Sequence, residues 1–284
     1  MKKLAVLLFI CFSHSSYSLV KNVPIISGES FTISSNIMKE QRNYSVYLPP
    51  SYNNSDKSYP VIYVLDGDLH RLRAVSGIVE ALSTETLENQ VNESIIVAIP
   101  NSEQAIRERD LTPTNVDWVF EGKVLEKFEN IGNADNYISF FENELIPLIS
   151  KTYRTSDKRI LIGESFGGLF AAHTLLVKPQ LFTDYLIIDA TYLWDENYLN
   201  RKYTSIKYDK NHVKANVYFS FANNHAFGKI GETNYQWGKA FVSRLEKHPS
   251  KQLQIKQQFF ENESHGTVAL QSWYFGLRYL NKRS

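Results

Sequence analysis

Arg159-Ile160-Leu161-Ile162-Gly163-Glu164-Ser165-Phe166-Gly167-Gly168-Leu169-Phe170-Ala171-Ala172 is the stretch on which the reading of this chain turns. Its first residues form a short apolar run that stops at a glycine, the pattern of a buried strand. Its last residues are alanine-rich and apolar, the pattern of a helix packed on all sides. Between them stands Gly-x-Ser-x-Gly. Gly and Ser are common, so the five residues alone carry little weight. Placed between a strand and a helix they describe a nucleophile elbow, a turn so sharp that bulky residues at 163 and 167 are expected to collide with neighbouring backbone. Ser165 would stand above the sheet with the positive end of the helix directed toward it.

Working outward, further apolar runs occur at Val61–Leu65, Ile95–Ile99, Tyr185–Ile188, Val217–Phe221 and Ile255–Phe260. Runs of this length fit strands covered on both faces. Helical spacing appears over 72–89, 134–150, 167–177, 234–247 and 268–281. Alternating strands and helices predict an α/β fold with a mostly parallel central sheet and helices on both faces. Residues 31–50 alternate apolar and polar side chains, which predicts antiparallel strands at the N-terminal end. Residues 101–133 match no strong pattern and read as an irregular insertion near the site.

A serine hydroxyl needs a base to take its proton. In this chain order the base follows the last strand and precedes the last helix, and Glu263-Ser264-His265-Gly266 lies there. His265 is therefore the expected base. His173 falls within the nucleophile helix and reads as packed. His212 and His248 sit in charged surroundings, His225 follows a strand too early, and His70 precedes the serine. The acid is sought after the strand ending near Phe221, where Glu232 is the only carboxylate of the loop 222–232 and so the first choice. Asp195, off the preceding strand, is the runner-up, and a Ser–His dyad remains open. Two backbone amides are needed for an oxyanion hole. One is expected from Phe166 and the other from Asp68, in Leu65-Asp66-Gly67-Asp68, where Gly67 lets the backbone turn inward. Asp66 and Asp68 without clustered partners do not argue for a metal, and the chemistry calls for no cofactor.

The chain begins with Met1-Lys2-Lys3, an apolar run from Leu4 to Phe12, and small residues at Ser16 and Ser18. That order predicts a secretory signal peptide over residues 1–18, cut after Ser18, and a periplasmic or secreted single domain over 19–284. The run is far shorter than the ~20 residues that span a bilayer. Cys11 is the only cysteine and lies in that run, so disulfides, a thiol nucleophile and a thiolate metal site are not expected in the mature protein. With 31 basic and 30 acidic residues, the chain has no electrostatic footprint for nucleic acid.

In Val61-Ile62-Tyr63-Val64-Leu65-Asp66-Gly67-Asp68, Arg109-Asp110-Leu111-Thr112-Pro113-Thr114, Asn143 through Ser165, Glu263 to Leu270 and Tyr274 to Tyr279, the chain resembles the Putative esterase branch of α/β-hydrolases. That branch includes siderophore esterases, esterase D and the mycolyltransferases. The resemblance implies Ser165 as nucleophile, His265 as base, and the amides of Asp68 and Phe166 as oxyanion hole. The chain departs from the branch at Asp189-Ala190-Thr191, where members often have Ser-Pro-Ser, and at Ala222-Asn223-Asn224, where many have a Gly-Glu-type turn. The expected function is hydrolysis of a small-molecule carboxylic ester, with acyl transfer to a sugar or alcohol, or a non-catalytic binding protein on the same fold, as alternatives. Arg107 and Arg109 are candidate substrate-binding residues, since a basic pocket would suit an acidic siderophore.

Overall fold

The computed structural model describes residues 27–83, 90–101, 103–205, 213–247 and 250–282. The expected signal peptide, His212, His248 and the end of the helix expected over 72–89 lie outside them. An antiparallel pair comes first, β1 (Glu29–Ser35) and β2 (Glu40–Tyr47). Then follow β3 (Tyr59–Leu65), α1 (Leu69–Ser83) and β4 (Ile95–Ile99). Next are α2 (Gln104–Leu111), a hairpin of β5 (Trp118–Phe120) and β6 (Lys123–Glu126), and α3 (Ala134–Phe140). A π-helical turn at Phe141–Leu145 leads into α4 (Ile146–Thr152). The second half runs β7 (Thr155–Glu164), α5 (Phe166–Val177), β8 (Asp184–Ile188), α6 (Tyr198–Ser205), β9 (Ala215–Ala222), α7 (Gly228–Glu246), β10 (Leu253–Phe260) and α8 (Val268–Leu280).

Eight strands form one sheet in the order β1-β2-β4-β3-β7-β8-β9-β10. The β1–β2 and β2–β4 pairs are antiparallel and the others parallel. Side chains alternate between the two faces, as the period of a strand requires. Val61, Tyr63 and Leu65 of β3 enter an aromatic-rich core with Phe141, Phe170 and Phe241. Ile62 and Val64 enter a second core with Val75 of α1 and Leu277 of α8. Thus α1 and α8 cover one face, and the helices from α3 to α5 together with α7 cover the other. Because β7 sits in mid-sheet with β8 beside it, the loops after these two strands are neighbours. That adjacency positions the site.

Three readings of the sequence change. β10 is the edge strand, and Phe259 is 43% exposed. Gln254, Lys256 and Gln258 alternate onto one face, where Gln254 and Lys256 are exposed, so it is not a strand covered on both sides. The insertion 101–133 is not irregular throughout: it contains α2 and the β5–β6 hairpin. α2 carries almost no apolar stripe, and ion pairs of Arg107 with Asp66, Arg109 with Glu40 and Asp110 with Arg42 anchor it instead. α7 starts at Gly228 rather than near 234. Gly228 and Gly231 are poor helix formers and read as loop in isolation.

Candidate active site

Ser165 occupies the turn between β7 and α5 with φ 57° and ψ −118°, a conformation that a side-chain-bearing residue adopts only when its surroundings enforce it. Gly163 is what permits the turn: a Cβ there would stand 2.1 Å from the carbonyl oxygen of Gly167. Gly167 is less constrained than expected, since a Cβ at 167 would meet Leu65 and Asp66 at ordinary contact distance, 3.5 Å. The Ser165 N–H donates to Ile188 O at 3.0 Å, and the Thr191 N–H donates to Ser165 O at 3.2 Å. The elbow is thereby tied to the loop that leaves β8.

That loop supplies the carboxylate. Asp189 follows the last residue of β8, adopts φ 38° and is 2% exposed. Its Oδ2 lies 2.6 Å from His265 Nδ1 and accepts a hydrogen bond from Asn224 Nδ2 at 2.8 Å. Its Oδ1 accepts from the Ala222 N–H at 3.1 Å. Asn224 in turn accepts the backbone N–H of His265 on its Oδ1 at 3.1 Å. With its carboxylate partner on Nδ1, the His265 ring donates from that atom and leaves Nε2 as acceptor. The hydrogen bond to Asp189 raises the His265 pKa, its charge adds to the effect, and partial burial opposes it. Ser165, Asp189, Asn224 and His265 line one cavity of about 250 Å³, walled also by Trp118, Leu193 and Phe227. Ser165 Oγ lies 3.5 Å from Thr191 Oγ1.

Glu232, the expected acid, is exposed on the first turns of α7 and borders a different pocket with His225 and Phe259. The early start of α7 carries it away from His265. Asp195 is also elsewhere, with Oδ1 paired to Arg201 Nη2 at 3.0 Å. The carboxylate against His265 is Asp189. A signal for it was present in the sequence: it is the first residue after an apolar run, on the strand next to the elbow strand. His173 is buried as expected, between Asp135 Oδ1 at 2.8 Å and the Tyr198 hydroxyl at 3.1 Å.

Of the two expected oxyanion donors, Phe166 heads α5, where first-turn amides have no acceptor within the helix. The Asp68 amide is differently placed, because it donates to Asp66 O at 2.9 Å within its own loop. Asp66 O also accepts from Arg71 Nη1 at 3.0 Å. The Asp68 amide can therefore turn to another acceptor without leaving that carbonyl unpaired.

Arg107 and Arg109 do not stand free. Arg107 grips the Asp66 carboxylate through Nε at 2.9 Å and Nη2 at 3.0 Å, and its guanidinium lies 5.3 Å from the Phe166 ring centroid. Arg109 holds Glu40 through Nη2 at 2.6 Å and Asp110 through Nε at 2.7 Å. The Arg109 guanidinium keeps the Glu40 carboxyl below its ordinary pKa. Arg107 thus fastens the loop of Asp66, itself at φ 51°. Arg107→Gln is expected to lower kcat on a neutral ester by roughly ten- to a hundredfold, the effect of a small displacement of reacting groups. An unchanged rate on neutral esters with a loss confined to acidic ones would instead make Arg107 a substrate contact.

The family model described as Putative esterase matches residues 35–267. Ferri-bacillibactin esterase BesA of Bacillus subtilis is 28% identical over 170 residues, covering 57% of this chain and 58% of that protein. A siderophore enterobactin esterase of Emericella nidulans is 31% identical over 157 residues, covering 50% of this chain and 49% of that protein. The chain therefore matches only about half the length of these curated relatives. An IroE-like serine hydrolase from Shewanella oneidensis superposes with a TM-score of 0.78 at 28% identity, covering 89% of this chain and 80% of that one. Siderophore hydrolase EstA from Aspergillus nidulans shares the fold, with a TM-score of 0.74 at 20% identity over 95% of this chain and 99% of its own.

Proposed function

The chain belongs to the Putative esterase family, and we propose that it is a serine hydrolase of carboxylic esters, with Ser165 as nucleophile, His265 as general base and Asp189 as the acid that orients it. One observation carries this reading: His265 Nδ1 lies 2.6 Å from the buried Asp189 carboxylate in a cavity that Ser165 also lines. Asp189 fixes the tautomer, so Nε2 takes the proton of Ser165 as its oxygen attacks the ester carbonyl. The imidazolium that forms is stabilised by the same carboxylate. Negative charge gathers on the former carbonyl oxygen, to which the Phe166 amide donates, joined by the Asp68 amide once it turns from Asp66 O. His265 then returns its proton to the leaving alcohol, and water activated by the same base releases the acid. The names of the siderophore-esterase relatives support an ester of small-molecule type.

A burst experiment tests the reading. Mixed with an excess of a nitrophenyl ester, the protein is expected to release about one equivalent of nitrophenol rapidly, followed by steady turnover. Release no faster than in buffer would end the reading.

The raised pKa of His265 gives a pH prediction. The base works only when neutral, so kcat/KM is expected to rise with pH and reach half its maximum above the ordinary imidazole value of about 6.5. The stability contribution has the opposite sense: it is complete below the unfolded-state value and is lost as pH rises through the folded one. An activity midpoint at or below the ordinary value would contradict the Asp189 contact.

The segment 1–18 supports export to the periplasm or beyond, with residues 19–284 as the mature domain. The N-terminal residue of protein recovered from outside the cytoplasm is expected to be Leu19.

A further inference from the structure

We propose that the site takes a small, apolar, uncharged acyl group, so that its substrates are neutral carboxylic esters rather than anionic ferric siderophores; this rests on the serine-esterase reading above. In the acyl-enzyme the acyl group is bonded to Ser165 Oγ, so it must occupy the cavity that Ser165 lines. Beyond Ser165, Asp189, Thr191 and His265, that cavity is walled by the side chains of Trp118, Leu193, Phe227 and Ile230 and by two asparagines. Its two asparagines are already engaged. Asn234 accepts from the Leu193 N–H at 3.1 Å and donates to Ala190 O at 3.0 Å, while Asn224 bridges Asp189 and His265. Neither Lys nor Arg lines the cavity among the described residues.

Among the described residues, three cations on the surrounding elements are each paired with an acid. Arg107 is held by Asp66, Arg71 by Glu164 at 3.1 Å, and Lys229 by Glu121. An anionic acyl group would sit beside the buried Asp189 carboxylate without a counter-charge, an arrangement that desolvation and repulsion both oppose. The groove on the far side of the His265 loop does not supply one either, since it carries Glu164 and Glu263 beside Arg71. Size points the same way. A cavity of about 250 Å³ falls below the roughly 300–1,000 Å³ of sites that enclose drug-sized ligands. It suits a short aliphatic chain or one ring, whereas a ferric tri-catecholate is both larger and anionic.

The test compares nitrophenyl butyrate, nitrophenyl hexanoate, the anionic nitrophenyl hemisuccinate and a ferric tri-catecholate tri-ester, with labelling by a fluorophosphonate run in parallel. Butyrate is expected to exceed hemisuccinate in kcat/KM by about tenfold or more, and the ferric tri-ester to be turned over slowest. Phe227 is 58% exposed, so Phe227→Arg adds a cation at the cavity rim without disturbing the core, and it is expected to narrow the gap in favour of hemisuccinate. A protein that takes the label but cleaves hemisuccinate or the ferric ester at least as fast as butyrate overturns the specificity and leaves the esterase reading standing. One that takes the label but cleaves no ester overturns both readings. A protein that takes no label and cleaves nothing overturns both.

Discussion

Asp189→Asn is expected to lower kcat on a neutral ester by about 10⁴-fold, the loss that follows when an orienting carboxylate becomes an amide of the same shape. Asp189 Oδ2 receives both His265 Nδ1 and Asn224 Nδ2. An amide can offer its oxygen to only one arrangement of these donors and places an N–H where a lone pair was. The imidazole then loses both its fixed tautomer and the charge that stabilises its protonated form. The same loss of charge removes what raises the His265 pKa, so any residual activity is expected to have its pH midpoint shifted down. Glu232→Gln is the control. Its carboxylate is exposed on α7, and the rate should stay within about twofold, as for a surface change away from the site. Fold integrity is read from the circular dichroism of both variants. A loss below tenfold for Asp189→Asn would reduce the site to a Ser–His dyad, and a large loss for Glu232→Gln would restore the acid first sought there.

The largest effect on stability is expected at Asp110. This carboxylate is fully buried between two guanidinium groups, with Arg42 Nη1 at 2.8 Å from Oδ2 and Arg109 Nε at 2.7 Å from Oδ1. Arg42 is itself only 4% exposed and lies 5.1 Å from the Tyr137 ring centroid. Glu40 remains as a partner of both arginines, but one carboxylate cannot serve two cations, one of them buried, as well as two can. Asp110→Ala therefore leaves a buried positive charge undercompensated, which costs about 3–5 kcal/mol. For a domain of this size that corresponds to a fall in Tm of roughly 10 °C. The pair ties α2 to β2, and α2 also carries the Arg107 that grips Asp66, so kcat should fall in the folded variant too. Urea titration measures the loss. A value below 1 kcal/mol would mean that the cluster behaves like an exposed ion pair.

The fold was largely legible because its decisive elements are local. The runs 61–65, 95–99 and 185–188 coincide with buried strands whose neighbours sit on both faces, and these stretches have little choice of structure. Elements held by distant charges were not legible. α2 has no apolar period, and its anchors Asp66, Glu40 and Arg42 announce nothing about pairing until the chain is folded. Strand and helix signals bracket Ser165 and His265, and the structure places both on one cavity. The carboxylate beside His265 was not legible, because chain order directs attention to the loop after β9. The requirement on the acid is spatial. β8 lies next to the elbow strand in the sheet, so its C-terminal loop can present a carboxylate to His265 directly. In the loop after β9, the place where the acid was sought is taken by Asn224, whose amide donates to Asp189. The two departures from the family pattern, at 189 and at 222–224, are thus two halves of one hydrogen-bonded unit.

The account stands on Ser165 as the reacting group. Labelling the folded protein with a fluorophosphonate and mapping the adduct by mass spectrometry measures that directly. One equivalent of label on Ser165 is expected, with ester hydrolysis lost in step with its formation. Ser165→Ala should take no label and hydrolyse esters at least about 10⁴-fold more slowly. A label on another residue, or a Ser165→Ala protein that hydrolyses esters at the wild-type rate, would contradict it.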